Sequence, residues 1–381
     1  MRVGFFVGNF LPGSNFGGGE VVAYNLAREI SKKHEVLVFS SGEDRKNSTK
    51  KLNDKMVVYN YSTLFKIYGR KVSLNLIFKP LKEKVDIAHV HIMSSPIELI
   101  SVLLYAKKRK VPLMATYHGD TIAIRGGIVY KMSVKTLNYF VRKVLENADV
   151  IISPSEHYIE ESKLLKNYKN KIKVIPNGIH LENFNIPISR EEIRKKLNLP
   201  NEIPIVLFFS TLHPKKGPDV LLKAMKFVLT KKDAMLLICG EGIMRNELQK
   251  LAKKLNIDKF VRFEGFVSEE LKPLYFKASD IFVLPSTMST EVFPVALLEA
   301  SAAGLPMVVS DLKTFGCIVE DGYNGAFTRK GDEKSLADTI IYLLDNEDER
   351  KRMGRNAKEK VKDFTWDKIA ENYEKIYEEL L

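Results

Sequence analysis

Short apolar runs alternate with longer stretches whose apolar residues recur every three or four positions, from one end of the chain to the other. Arg2–Val7 is the first such run. A Gly, Asn and Pro loop follows, and residues 21–30 then carry apolar side chains at helical spacing. Further runs at 35–40, Met56–Tyr61, Ile87–Ile92, Leu113–Tyr117 and 149–153 predict strands. The second half repeats the pattern at Ile205–Phe209, Met235–Cys239, 261–267, 280–286 and 307–311. Continuous apolar runs, rather than alternating ones, belong to parallel strands covered on both faces. Strands alternating with helical segments predict an α/β fold with helices on both faces of each sheet. Residues 173–179 close a first domain over 1–180. Pro, Asn and a charged helix make a linker of 180–204, a second domain runs over 181–364, and 365–381 is a last amphipathic helix.

Size and charge fit this picture. A chain of 381 residues that is 45% hydrophobic holds two cores. With 28% charged residues it is not a disordered chain. A formal net charge of +13 favours an anionic partner: nucleotide phosphates, an anionic lipid surface or nucleic acid. No nucleic-acid motif supports the last. A generally basic surface explains the charge equally well. Cys239 and Cys317 form no Cys-x-x-Cys and imply no disulfide framework. The first residues turn to Gly and Asn too soon for a signal peptide, and no apolar run approaches the roughly 20 residues of a spanning helix. A soluble, cytoplasmic protein is expected. Peripheral contact with the inner membrane face stays open through residues 131–147, where Lys131, Lys135, Arg142 and Lys143 interleave with apolar residues. A solvated helix face is the commoner explanation.

The most informative stretch is 290–306. Pro294 suits the first turn of a helix, and Gly304 with Pro306 stops it. First-turn N–H groups, here near Val295 and Ala296, lack intrahelical partners and make an anion seat. Glu291 precedes the helix, and Glu299 lies within it among Ala and Leu. A buried carboxylate needs a partner. Since it only accepts, a sugar diol would serve. Seat and acids together describe a pocket for a nucleotide-sugar.

Glu-x7-Glu from Glu291 to Glu299, followed by Ala-x3-Gly-x-Pro up to Pro306, resembles the signature of retaining glycosyltransferases of family 4. The resemblance covers nearly the whole chain. It implies a GT-B fold of two Rossmann-like, doubly wound domains facing a central cleft, with acceptor in the first domain and donor mostly in the second. The last helix would cross back to the first domain. By the same resemblance Glu299 takes ribose hydroxyls, Glu291 the donor sugar and Lys216 the diphosphate. His118, in Thr116-Tyr117-His118-Gly119-Asp120, sits near the reacting carbon. Gly17 and Gly18 face the phosphates. Backbone groups near Val267 grip the base, and Phe293, Val295 and Ala296 line the donor site. His91, at another strand end, is expected to be structural.

No Asp-x-Asp occurs, so no metal or other cofactor is expected. The expected acceptor is a lipid, a glycan or a small molecule, and the reaction retains anomeric configuration. One departure stands out. Five residues before the diphosphate lysine most members carry Arg, and this chain has Thr211, one neutral hydroxyl in place of a charged fork. The alternatives are a catalytically weak nucleotide-sugar-binding protein and a GT-B nucleotide-sugar epimerase. The latter would need acid/base residues in the same cleft, and no matching constellation is found.

Overall fold

The computed structural model describes residues 1–10, 18–42, 45–67, 70–93, 95–121, 127–288 and 291–381. Gly17, Arg125, Gly126 and Thr290 lie outside the described residues. Contacts divide the chain into two compact units: Met1–Asn177 with Trp366–Leu381, and Gly178–Thr365.

The first unit is built on β1 (Arg2–Val7), β2 (Glu35–Ser41), β3 (Ser48–Asn53), β4 (Met56–Tyr61), β7 (Ile87–Ile92), β8 (Leu113–Tyr117), β9 (Val150–Ser153) and β10 (Ile172–Val174), with β5 (Phe65–Ile67) and β6 (Arg70–Val72) as a separate hairpin. Their order is β10-β9-β8-β7-β1-β2-β4-β3. On β1, neighbours Phe5, Phe6 and Val7 are all buried, as the continuous apolar run requires of a strand covered on both sides. β3 pairs antiparallel with β4 and closes one edge. Its sequence, Ser-Thr-Lys-Lys-Leu-Asn, is almost wholly exposed. Sequence reasoning missed it because it has no apolar face, and charged side chains on an edge strand deter further pairing.

Among its described residues the second unit has six parallel strands: β11 (Ile205–Phe209), β12 (Met235–Cys239), β13 (Val261–Gly265), β14 (Ile281–Leu284), β15 (Met307–Ser310) and β16 (Gly325–Thr328). They are ordered β13-β12-β11-β14-β15-β16. The strand order reverses direction at β11 and β14, and open sheets bind ligands at the carboxyl ends of such switch points.

Several bounds differ from expectation. The basic helix begins at Ile128, not at residue 131, and runs to Asn147. The helix expected over 268–278 is only Lys272–Ala278, with Pro273 in its first turn. Ser155 occupies an N-cap position, but its side chain makes no capping bond. The last helix, Trp366–Leu380, belongs to the first unit and packs on Gly18–Ile30. Trp366 is buried as a packing residue.

Candidate active site

In the second unit, β11 leads through Ser210 and Thr211 into a short turn, Pro214–Lys216, and then the helix Pro218–Val228. Gly217 joins them in the left-handed region at φ 64°. A Cβ there would lie 2.0 Å from the Pro285 carbonyl oxygen. This close approach fixes the lysine turn against the segment leaving β14. The Thr287 N–H donates to the Lys215 carbonyl at 2.8 Å, and its hydroxyl donates to the Pro214 carbonyl at 3.0 Å. The segment so attached leads to Glu291.

Glu291 is therefore brought onto both lysines. Lys216 Nζ lies 2.5 Å from its Oε2, and Lys215 Nζ 3.9 Å from its Oε1. Oε1 is buried and has no hydrogen-bond partner. Burial lowers the Lys215 pKa, against the pull of Glu291. Lys216 and Glu291, expected to serve the diphosphate and the donor sugar separately, are paired with each other. Thr211 is exposed.

The helix Val295–Ala303 follows. Pro294 is its N-cap, in extended backbone, rather than a first-turn residue as expected. It makes no side-chain cap; its carbonyl accepts only the Leu297 N–H, at 3.1 Å, which leaves those of Val295 and Ala296 without a cap from that residue. Phe293 and Leu297 are buried, but Val295 and Ala296 between them are only half-buried, so the first turn reaches the surface.

Glu299, one turn on, is buried and already has a partner. Lys272 Nζ lies 2.8 Å from its Oε1 and 2.8 and 2.9 Å from the two oxygens of Glu269. The same ammonium stands 5.7 Å from the ring centre of Phe209. Burial raises the Glu299 pKa, and Lys272 opposes that rise. For Lys272 burial lowers the pKa, but the two carboxylates outweigh it and the net shift is upward. The expectation that a diol is this acid's cheapest partner is corrected: an internal cation takes one oxygen. The available signal was a lysine at an otherwise buried position of Leu271-Lys272-Pro273-Leu274-Tyr275. Val267 is buried one turn before this group.

In the first unit, three histidines line the ends of β7 and β8. His89 bonds Tyr377 Oη at 2.7 Å and Thr116 Oγ1 at 2.8 Å. His91 Nδ1 meets His118 Nε2 at 2.9 Å, with the rings stacked 5.2 Å apart. Burial holds His118 neutral, its pKa down at about 4, and burial first, with the neighbouring histidines, also pushes His91 well below the usual imidazole range. One neutral ring donates and the other accepts, so the tautomers of His91 and His118 are coupled. His91, expected to be structural, is buried against His118, and its own Nε2 is buried without a partner. Gly18 opens the helix Gly18–Ile30 and is exposed, with nothing near its missing Cβ. Its neighbour Gly19 is the close one: a Cβ there would sit 3.3 Å from His118 Cγ. Among the described residues no group of three or more His, Cys, Asp or Glu is arranged to hold a metal ion.

Comparison with known proteins bears on the family and the fold. Residues 16–183 match the family Glycosyltransferase Family 4, and residues 189–360 match Glycosyl transferases group 1. An uncharacterized glycosyltransferase of Methanocaldococcus jannaschii is 31% identical over 275 residues, 70% of this chain and 69% of its own. The UDP-Gal:alpha-D-GlcNAc-diphosphoundecaprenol alpha-1,3-galactosyltransferase of Escherichia coli is 30% identical over 72% of this chain and 70% of its own. Among solved structures, sucrose-phosphate synthase from Thermosynechococcus elongatus superposes with a TM-score of 0.83 over 100% of this chain and 98% of its own, at 20% identity, a likeness of fold. This chain belongs to the glycosyltransferases of family 4 and group 1, has their GT-B fold, and is an enzyme of glycosyl transfer from a nucleotide-sugar.

Proposed function

We propose that this enzyme moves a hexose from a nucleoside-diphosphate sugar to a hydroxyl of a lipid, glycan or small molecule, retaining anomeric configuration and needing no metal. The observation that carries the reading is the Lys216–Glu291 pair ahead of the uncapped helix at Val295, with Glu291 Oε1 left open. As the bond from the anomeric carbon to the diphosphate oxygen breaks, negative charge grows on the leaving group. Lys216, Lys215 and the first-turn N–H groups of the Val295 helix are a cationic set suited to that charge, and such terms contribute ~3 kcal/mol at a transition state. Lys216 then turns from Glu291 to phosphate, and Glu291 accepts from hydroxyls of the donor sugar. Glu299 keeps one oxygen on Lys272 and offers the other to ribose. Val267 stands for the base side. His118, neutral and fixed by His91, hydrogen-bonds the sugar near the carbon that changes partners.

The acceptor class is supported by kinship: the Escherichia coli galactosyltransferase is named for a lipid-linked saccharide acceptor. Retention is tested by proton NMR of the product. An axial donor bond should give an axial product bond, and the opposite anomer contradicts the reading. A second reading is favoured by Thr211 alone: a nucleotide-sugar-binding protein with little turnover. Donor binding without transfer or slow hydrolysis across a panel of nucleotide-sugars would select it.

A further inference from the structure

The helix Ile128–Asn147 has two unlike faces. Val134, Leu137, Val141, Val144 and Leu145 are buried in the first unit. On the other side Ile128, Val129, Met132 and Tyr139 are 77%, 64%, 64% and 55% exposed. A single exposed apolar side chain is ordinary. Here Ile128, Met132, Lys135, Tyr139 and Arg142 follow a spacing of four, three, four and three. They fall on one line along the helix, opposite Leu137.

The charges on this strip have one sign. Lys131, Lys135 and Arg142 are exposed, and no Asp or Glu occurs between residues 128 and 145. The first acid, Glu146, is paired with Lys143 at 2.7 Å. Apolar tips set among cations alone fit a partner with an apolar interior behind a negatively charged layer. A second copy of the same face would bring like charges together and is disfavoured. No helix of the described residues is long and apolar enough to cross a membrane, so this one would lie on a surface rather than span it.

We propose that the Ile128–Asn147 helix docks the enzyme onto an anionic lipid surface. Ile128, Val129 and Met132 enter the boundary between headgroups and acyl chains. Lys131 and Lys135 reach the phosphates on their flexible stems. The proposal is independent of which sugar is transferred.

The test is flotation of the full chain with vesicles of phosphatidylcholine alone and of phosphatidylcholine mixed with phosphatidylglycerol. Binding is expected on the mixed vesicles, weakening as sodium chloride is raised. Lys131→Ala with Lys135→Ala should lower partitioning about tenfold or more. Ile128→Ser with Met132→Ser should lower it comparably. These exposed substitutions should leave the melting temperature and donor binding unchanged, which separates lost docking from lost folding. Failure of the unsubstituted chain to float with anionic vesicles overturns the proposal. So does flotation that neither double substitution weakens. Self-association abolished by Ile128→Ser with Met132→Ser, in a chain that ignores vesicles, would assign the strip to a second copy instead.

Discussion

Lys272 and Glu299 form a buried ion pair, Nζ to Oε1 at 2.8 Å, on two helices of the second unit. Twenty-seven residues separate them, and Glu269 closes the group from the surface side. A buried carboxylate stripped of its cation is costly, so this pair decides whether Glu299 stays ionised and aimed.

Lys272→Met should therefore destabilise the second unit by about 3 to 5 kcal/mol, the usual cost of leaving one buried charge unpaired. Adding Glu299→Gln should recover most of that loss, since the orphan charge goes with it. Urea denaturation of the two single variants and the double variant closes the cycle. Independent, additive losses would mean that the pair is not coupled.

Glu98 predicts a pH dependence in the first unit. Burial pushes its carboxyl up to about 7, against a hydrogen bond from Ser95. Oε1 accepts from the Ser95 N–H at 3.2 Å, and Oε2 is buried without a partner. The folded pKa lies above the unfolded one, so folding favours the protonated acid. Its stabilisation is full below the ordinary carboxylate range and is lost as pH rises through about 7. Glu98→Gln should not lose it. The difference in melting temperature between variant and parent should grow in the variant's favour from pH 5 to pH 8, at ~1.4 kcal/mol per pKa unit. A difference flat across that window contradicts this assignment.

Gly217→Ala should cost roughly 2 to 4 kcal/mol, because it strains a left-handed residue and drives a methyl into the Pro285 carbonyl. The same change should loosen Lys215 and Lys216 from Glu291 and weaken donor binding. Denaturation midpoints read the first effect and donor titration the second. A midpoint equal to the parent's contradicts the close approach.

Thr211→Arg supplies the charged fork that most relatives of the resembling family carry. If Thr211 faces the diphosphate, the change should tighten donor binding roughly tenfold. Unchanged or weaker binding would place the diphosphate elsewhere. In parallel, donor affinity should survive excess chelator; a large loss would contradict the metal-independent reading.

Much of this was legible in the chain. The apolar runs that became β1, β11 and β14 lie where period and turn residues put them, because a strand buried on both faces must be apolar throughout. The Val295–Ala303 helix was readable from Pro294, Gly304 and the spacing between. What escaped the sequence depends on pairing across distance. β3 has no apolar face to betray it. Lys272 meets Glu299 only because two helices pack side by side, and no local spacing encodes that. The Lys216–Glu291 contact needs Gly217 to fit under Pro285, a tertiary fact. His91 was read as structural, and its contact with His118 shows only once β7 and β8 are paired.

On the proposed reading, Lys216 and Glu299 hold a nucleotide-sugar in the second unit. Isothermal titration measures this with UDP-, GDP- and ADP-sugars added to the parent chain, Lys216→Ala and Glu299→Ala. At least one donor should bind the parent, and each variant, still folded, should bind it about tenfold or more weakly. Absence of binding by every donor, or equal affinity in parent and both variants, would overturn the reading.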